Sequence, residues 1–113
     1  MQATTTIPTL APEDTGLPMT ACLLTRDVSR DGPRVEVSRQ HGQQLTLRDV
    51  VSVSISDNPR IIDGGQLLNP GLRLVRAWVL LNEDVLLRYW SHELSQTDMM
   101  AALRPLGKPR GPR

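Results

Sequence analysis

Residues 69–90, NPGLRLVRAWVLLNEDVLLRYW, constrain the fold more than any other part of the chain. Asn followed by Pro is a typical helix start, because the Asn side chain caps free amides and Pro fits the first turn. At about 100° per residue, the apolar side chains cover one half of the predicted helix. A face this wide has to pack against another layer of the protein. The residues predicted to form it are Leu74, Val75, Trp78, Val79, Leu81, Val85, Leu86, Tyr89 and Trp90.

Asn82 lies in the middle of this apolar face and leaves two alternatives open. It is hydrogen-bonded within one continuous helix, or it caps a second helix whose first turn contains Glu83 and Asp84. Acidic side chains favour a helix N-terminus, which supports the second alternative. We expect a continuous helix, because no residue of the segment forces a break.

Leu80 and Leu87 lie off the core face, two turns apart, among the charged residues of the helix. They form a second, narrower apolar stripe. One interpretation is a contact with another protein or with a second copy of the chain. The alternative is that loops or the N-terminal residues cover them, or that they are ordinary exposed leucines. The residues predicted to bind a partner are Arg73, Arg76, Leu80, Glu83 and Leu87.

The residues before the helix alternate in the manner of β-strands. Residues 34–38 place Val35 and Val37 on one face, and residues 45–56 place apolar side chains on one face and serines on the other. Asp49 interrupts the apolar side, which predicts a bend there. Residues 20–28 and 61–62 add a first strand and a brief edge strand. We therefore predict an α+β fold, in which a small, mostly antiparallel sheet of three or four strands packs against one long helix and leaves its serine-rich face wet.

A single domain is predicted over residues 20–106, with a short helix after His92 that begins near Ser95 or Thr97. Residues 1–19 are rich in Thr and Pro and predict a flexible arm, or alternatively an arm that orders on a partner. Residues 107–113 form a basic tail, predicted to be flexible.

The formal net charge is only +1, so bulk charge does not indicate a nucleic-acid-binding protein. The N-terminus lacks the pattern of a signal peptide, and no apolar run is long enough to span a membrane. These features predict a cytoplasmic protein without membrane contact. Cys22, the only cysteine, lies in an apolar run and is predicted to be a buried thiol.

No motif predicts catalysis, a metal site or a cofactor. Neither His41 nor His92 has a second ligand at a suitable spacing, and the sequence DGGQ lacks the setting of a phosphate loop. We therefore expect no enzymatic activity. A small nuclease that uses aspartates from several turns is a remaining hypothesis; these are Asp27, Asp31, Asp49, Asp57 and Asp63.

The helical segment contains Leu-Arg-Leu-Val and a Trp three residues after the Val, then an acidic residue, a Leu-Leu pair and a second Trp. The chain after it contains Pro-Leu. These residues are Leu72, Arg73, Leu74, Val75, Trp78, Asp84, Leu86, Leu87, Trp90, Pro105 and Leu106. The series resembles a family of short bacterial proteins known as domain of unknown function forty-one-sixty. The resemblance covers residues 20–106, with Pro33 and Val37 on the family's Pro-x-x-x-Val strand.

This chain departs from the family pattern in its strand. The family has two histidines after the proline, where this chain has Arg34 and Glu36, so any chemistry of those histidines is lost here. A longer stretch is also inserted around residues 58–65. The family has no established activity and is suspected of toxin–antitoxin or regulatory roles. The resemblance therefore implies a compact α+β module that acts by contact.

Two functional hypotheses follow. The first is a non-enzymatic protein-binding regulator, either antitoxin-like or a phage-type, anti-CRISPR-like inhibitor of a host defence complex, which uses the helix surface and an exposed sheet edge. The alternative is a nucleic-acid-binding accessory protein. Its contacts would come from basic strand, turn and tail residues, namely Arg26, Arg30, Arg34, Arg39, Lys108 and Arg110.

Overall fold

The computed structural model describes residues 7–28, 32–42, 49–67 and 71–107. Within these ranges, five strands form one antiparallel sheet in the order of the sequence. The strands are β1 (Thr9–Leu10), β2 (Ala21–Leu23), β3 (Arg34–Ser38), β4 (Val50–Ser54) and β5 (Ile61–Asp63). The helices are α1 (Pro12–Thr15), α2 (Gly71–Leu81), α3 (Glu83–Trp90) and α4 (Gln96–Ala102). The predicted α+β class is confirmed, but the sheet has more strands than expected and several helices replace the single long one.

The core lies between one face of the sheet and the helices. In the central strands, Val35 pairs with Val53 and Val37 with Val51, and all four side chains are fully buried. This is the face that the period-two pattern predicts to be apolar. The helical side chains buried in the same cluster are Val75, Trp78, Val79, Leu86, Tyr89 and Met99.

The strands begin and end close to their predicted positions where the structure describes them. β3 and the edge strand β5 are confirmed, whereas β2 is shorter than predicted because a turn follows, in which the Val28 amide donates to the Thr25 carbonyl. β4 begins directly after a bend at Asp49. The remaining predicted strand positions, 45–48, lie outside the described residues, as does the predicted helix start at Asn69 and Pro70.

Residues 7–19 are part of the domain, so the prediction of a flexible arm is corrected for them. Leu10 pairs with Ala21 at the sheet edge, and Leu10, Leu17 and Met19 are buried in the core. The prolines do not prevent this, because β1 is an edge strand and Pro12 occupies the start of α1, where its missing amide costs nothing. Residues 1–6 of the predicted arm and 108–113 of the predicted tail lie outside the described residues.

The predicted continuous helix is wrong, because Asn82 separates α2 from α3 with φ −115° and ψ 15°. Asn82 is 2% exposed, and its side chain does not cap α3. Instead, its Nδ2 group donates to the Trp78 and Arg104 carbonyls, and its Oδ1 accepts from the Arg104 amide. A buried polar side chain needs such partners, so Asn82 turns towards the C-terminal segment instead of towards the α3 amides.

The C-terminal segment closes the domain against its N-terminal residues. The short helix predicted after His92 is confirmed as α4, and the Ser95 side chain caps it by accepting from the Asp98 amide at 3.1 Å. After α4 the chain runs to Leu106, whose amide donates to the Thr15 carbonyl at 2.7 Å. The C-terminal end of the described chain therefore contacts the end of α1.

Candidate functional site

The solvent-facing side of α2 exposes more apolar surface than the sequence predicted. Leu80 is 49% exposed and Leu81 is 43% exposed, and Ala77 is exposed one turn earlier. Leu81 was predicted to face the core on the assumption of an unbroken helix. The break at Asn82 ends α2 directly after Leu81, and this leucine lies on the surface beside Leu80.

An open groove of about 460 Å³ lies along this side of α2. Its walls combine apolar side chains with two guanidinium groups, and the residues that line it are Leu72, Arg73, Arg76, Ala77 and Leu80. We call these five residues the α2 surface. Leu81 lines a separate depression together with Ala102 and Arg104. Three of the five residues predicted to bind a partner therefore lie together in one groove. The sequence prediction did not include Leu72 and Ala77 in this groove. Their helical spacing could have revealed them, since both lie within a turn of Arg73 and Arg76.

The two arginines of the α2 surface differ in their bonding. The Arg76 Nη2 group donates to the Asn58 Oδ1 atom at 3.2 Å, which ties it loosely to the loop between β4 and β5. For Arg73, no hydrogen bond or ion pair joins its side chain to any other residue that the structure describes. An exposed guanidinium without an intramolecular partner is available for a charge-assisted bond to another molecule.

The other two predicted contact residues lie beyond the helix break. Glu83 is partly exposed at the start of α3, and Leu87 is half-buried against the core. Leu87 lines a separate open depression of about 650 Å³ with polar and charged residues of α3 and the turn after it. The predicted apolar stripe through Leu80 and Leu87 is therefore interrupted, and only Leu80 is strongly exposed.

The basic residues predicted to contact nucleic acid serve different purposes where the structure describes them. Arg34 lies 3.6 Å from the Glu36 carboxylate with a side chain only 19% exposed. Arg39 is a structural clamp, because its guanidinium binds the Asp49 carboxylate at 2.8 Å and donates to the Gln66 and Gly64 carbonyls. Arg26 is exposed. The other three candidates, Arg30, Lys108 and Arg110, lie outside the described residues.

The polar face of the sheet is less exposed to solvent than its serines predict. Cys22 lies opposite Glu36, and Glu36 lies opposite Ser52, in one row across three strands. The Ser52 hydroxyl donates to the Glu36 carboxylate at 2.6 Å, and Ser52 is only 4% exposed. Burial and, to a smaller degree, the Glu36 charge raise the pKa of the Cys22 thiol to about 11. The prediction of a buried Cys22 is confirmed, and its thiol is poorly suited to nucleophilic chemistry.

The histidines are not arranged as metal ligands. His92 has φ 70° and its Nε2 atom lies 2.8 Å from the Asp27 carboxylate, a pair that joins the turn after β2 to the end of α3. His41 is exposed in a bend. In the described part of the chain, no group of three His, Cys, Asp or Glu side chains is close enough to hold a metal ion.

Comparisons with known proteins do not assign the chain to a family. No family model matches it, and neither the curated proteins nor the solved structures include a significant match. The resemblance to the forty-one-sixty family stays a prediction. Among the described residues, no helix has the length and apolar character needed to cross a membrane.

Proposed function

We propose that this protein is a non-enzymatic binding module that regulates another protein by direct contact through the α2 surface. The observation that supports this function best is the groove that Arg73 and Arg76 line together with Leu72, Ala77 and Leu80. Protein interfaces commonly combine an apolar centre with arginines, which bind carboxylates and also cover apolar surface. We expect the partner to contribute an apolar side chain to the groove and a carboxylate to Arg73.

The burial of an exposed leucine favours an interface at this position. Covering Leu80 removes apolar area from water at about 25 cal/mol per Å², and its side chain already lies on a formed helix. Arg73 loses no intramolecular bond to a described residue when it binds a partner. The α2 surface can thus form a contact without rearrangement of the domain.

The antitoxin-like role and the inhibition of a host defence complex are two forms of this proposal. They differ in the partner, which is a toxin in the first case and a subunit of a defence complex in the second. Mass spectrometry of the captured protein distinguishes the two, and reconstitution from purified components then tests whether the activity of the partner is suppressed.

The experiment compares Leu80→Glu with Met100→Glu. Met100 on α4 is 39% exposed, similar to the 49% of Leu80, so both changes place a carboxylate on an exposed apolar position. Tagged wild-type and variant proteins are used to capture partners from host lysate, and the captured protein is then titrated in purified form. We expect Leu80→Glu to weaken binding at least about tenfold, because the charge is desolvated at the centre of the contact, and Met100→Glu to leave it unchanged. Equal binding by both variants would refute the α2 surface as the contact.

A further inference from the structure

The solvent-facing side of α2 is positively charged, and the first turn of α3 is negatively charged. Arg73 and Arg76 precede Leu80, and Glu83 and Asp84 follow it. Arg76, Leu80 and Asp84 are all exposed to solvent, so a second molecule can contact each of them. The break at Asn82 does not bury either end, since the Asp84 side chain is 82% exposed.

The spacing of these charges is symmetric about Leu80. Arg76 lies four residues before Leu80, about 6 Å away along the axis of α2. Asp84 lies four residues after Leu80 in the sequence, beyond the break at Asn82, in the first turn of α3. If two copies pack antiparallel with a twofold axis at Leu80, Arg76 of each copy meets Asp84 of the other. The same arrangement places Leu80 against Leu80.

We propose that the occupant of the α2 surface is a second copy of this chain, in an antiparallel, twofold-symmetric dimer centred on Leu80. The proposal rests on the function proposed above for the α2 surface and names one partner of it. A twofold interface is self-complementary only if opposite charges are related through its axis, and Arg76 and Asp84 meet this condition. Self-association and the binding of a different protein then compete for the same groove.

The existing contacts of the two charged residues are weak enough to be exchanged. Asp84 has an ion pair to Arg88 at 3.6 Å, and both side chains are well exposed to solvent. Exposed pairs of this kind contribute little to stability. Arg76 donates to the neutral Asn58 side chain at 3.2 Å, and a carboxylate is a stronger acceptor.

The dimer is expected to be weak and sensitive to salt. A contact along one helix face covers less than the roughly 800 Å² per partner of a standard interface, and we expect a dissociation constant in the micromolar range. The Arg76–Asp84 pair occurs twice by symmetry and lies at the rim, where salt screens it. Raising the ionic strength should therefore increase the dissociation constant.

The test is sedimentation equilibrium of the purified full chain from about 5 μM to about 500 μM, a range that brackets a micromolar constant. The variants are Arg76→Asp, Asp84→Arg and the double variant. Each single variant places like charges opposite each other twice, so we expect its dissociation constant to rise at least about tenfold. The double variant exchanges the two charges and should restore the wild-type constant to within about threefold. Arg26→Asp makes the same change of charge in an exposed turn after β2 and should have no effect.

A wild-type protein that stays monomeric throughout this range overturns the proposal. So does a dimer that the single variants leave intact, or a double variant that dimerises no better than the singles. Capture of a different protein through Leu80 by a chain that is strictly monomeric contradicts the dimer alone and leaves the proposed function standing. An intact, charge-dependent dimer that captures no other protein contradicts the proposed function and leaves the dimer standing.

Discussion

The side chain of Asn82 binds the backbone of Arg104 through both of its polar atoms. Its Oδ1 atom accepts from the Arg104 amide at 2.8 Å, and its Nδ2 group donates to the Arg104 carbonyl at 3.0 Å. The same Nδ2 group also donates to the Trp78 carbonyl of α2 at 3.0 Å. One buried side chain thus joins the helix break to the segment after α4. The break is a tertiary feature, fixed by a residue far away in the sequence.

Replacement of Asn82 should destabilise the whole domain. Asn82→Ala leaves the polar groups of Arg104 without their partners, and we expect a loss of about 3 kcal/mol in the free energy of unfolding. Asn82→Asp should cost at least as much, because a carboxylate cannot donate to the two carbonyls. Urea unfolding followed by tryptophan fluorescence measures both. Asn58→Ala, which removes one exposed hydrogen bond, is the control and should cost less than about 0.5 kcal/mol. A loss below about 1 kcal/mol for Asn82→Ala would contradict this role.

Gly16 should not tolerate a side chain. It has φ 80°, and a Cβ atom there would collide with the backbone of Leu106. We expect Gly16→Ala to cost about 2–4 kcal/mol, more than the 1–2 kcal/mol of positive φ alone. Gly42→Ala is the matched control, since Gly42 has φ 107° and no atom of a described residue lies within 4 Å of a Cβ added there. Hydrogen exchange of the Leu106 amide, which donates to the Thr15 carbonyl, should become faster in Gly16→Ala only. If both variants lose the same free energy of unfolding, the Leu106 backbone moves away from the new Cβ atom at little cost, and the prediction is wrong.

The Cys22 thiol should be inert in the folded protein and should make stability fall at high pH. Its pKa is raised from 9.0 to about 11, so the folded protein keeps its proton where the unfolded chain loses it. The stabilisation is fully present below pH 9 and is lost as pH rises towards about 11, by about 1.4 kcal/mol per pH unit. Denaturant titrations at several pH values should show a shallower decline for Cys22→Ala. Rapid reaction of native Cys22 with a thiol reagent at pH 8 would contradict this burial.

We expect the Arg39 side chain to stabilise the fold. Its planar guanidinium binds Asp49, Gln66 and Gly64 at the same time, and a lysine cannot reach all three. We expect Arg39→Lys to reduce the free energy of unfolding by about 1–2 kcal/mol, although the charge is kept. Thermal unfolding measures the change, with Arg26→Lys as a control that should be neutral. If Arg39→Lys is as stable as the wild type but binds RNA or DNA less tightly, the nucleic-acid hypothesis gains support.

Local patterns in the sequence predicted the elements that are built from local contacts. The alternation of residues 34–38 predicted β3, and the serine at position 95 predicted the start of α4. The spacing of Val75, Trp78 and Val79 predicted a buried helix face. For the candidate site, helical spacing placed Arg73, Arg76 and Leu80 on one surface, although it overestimated the exposure of Leu87.

Tertiary structure decided the features that depend on residues distant in sequence. Residues 7–19 form part of the domain because β2 offers an edge to Leu10, and no pattern within residues 7–19 reveals that edge. The helix breaks at Asn82 because a buried amide side chain needs partners, and Arg104 supplies them from a segment that folds back only in the complete domain. That break ends α2 at Leu81 and leaves this leucine exposed beside Leu80. Periodicity records which residues lie on a shared face, whereas long-range hydrogen bonds determine where a helix ends and which surface remains free.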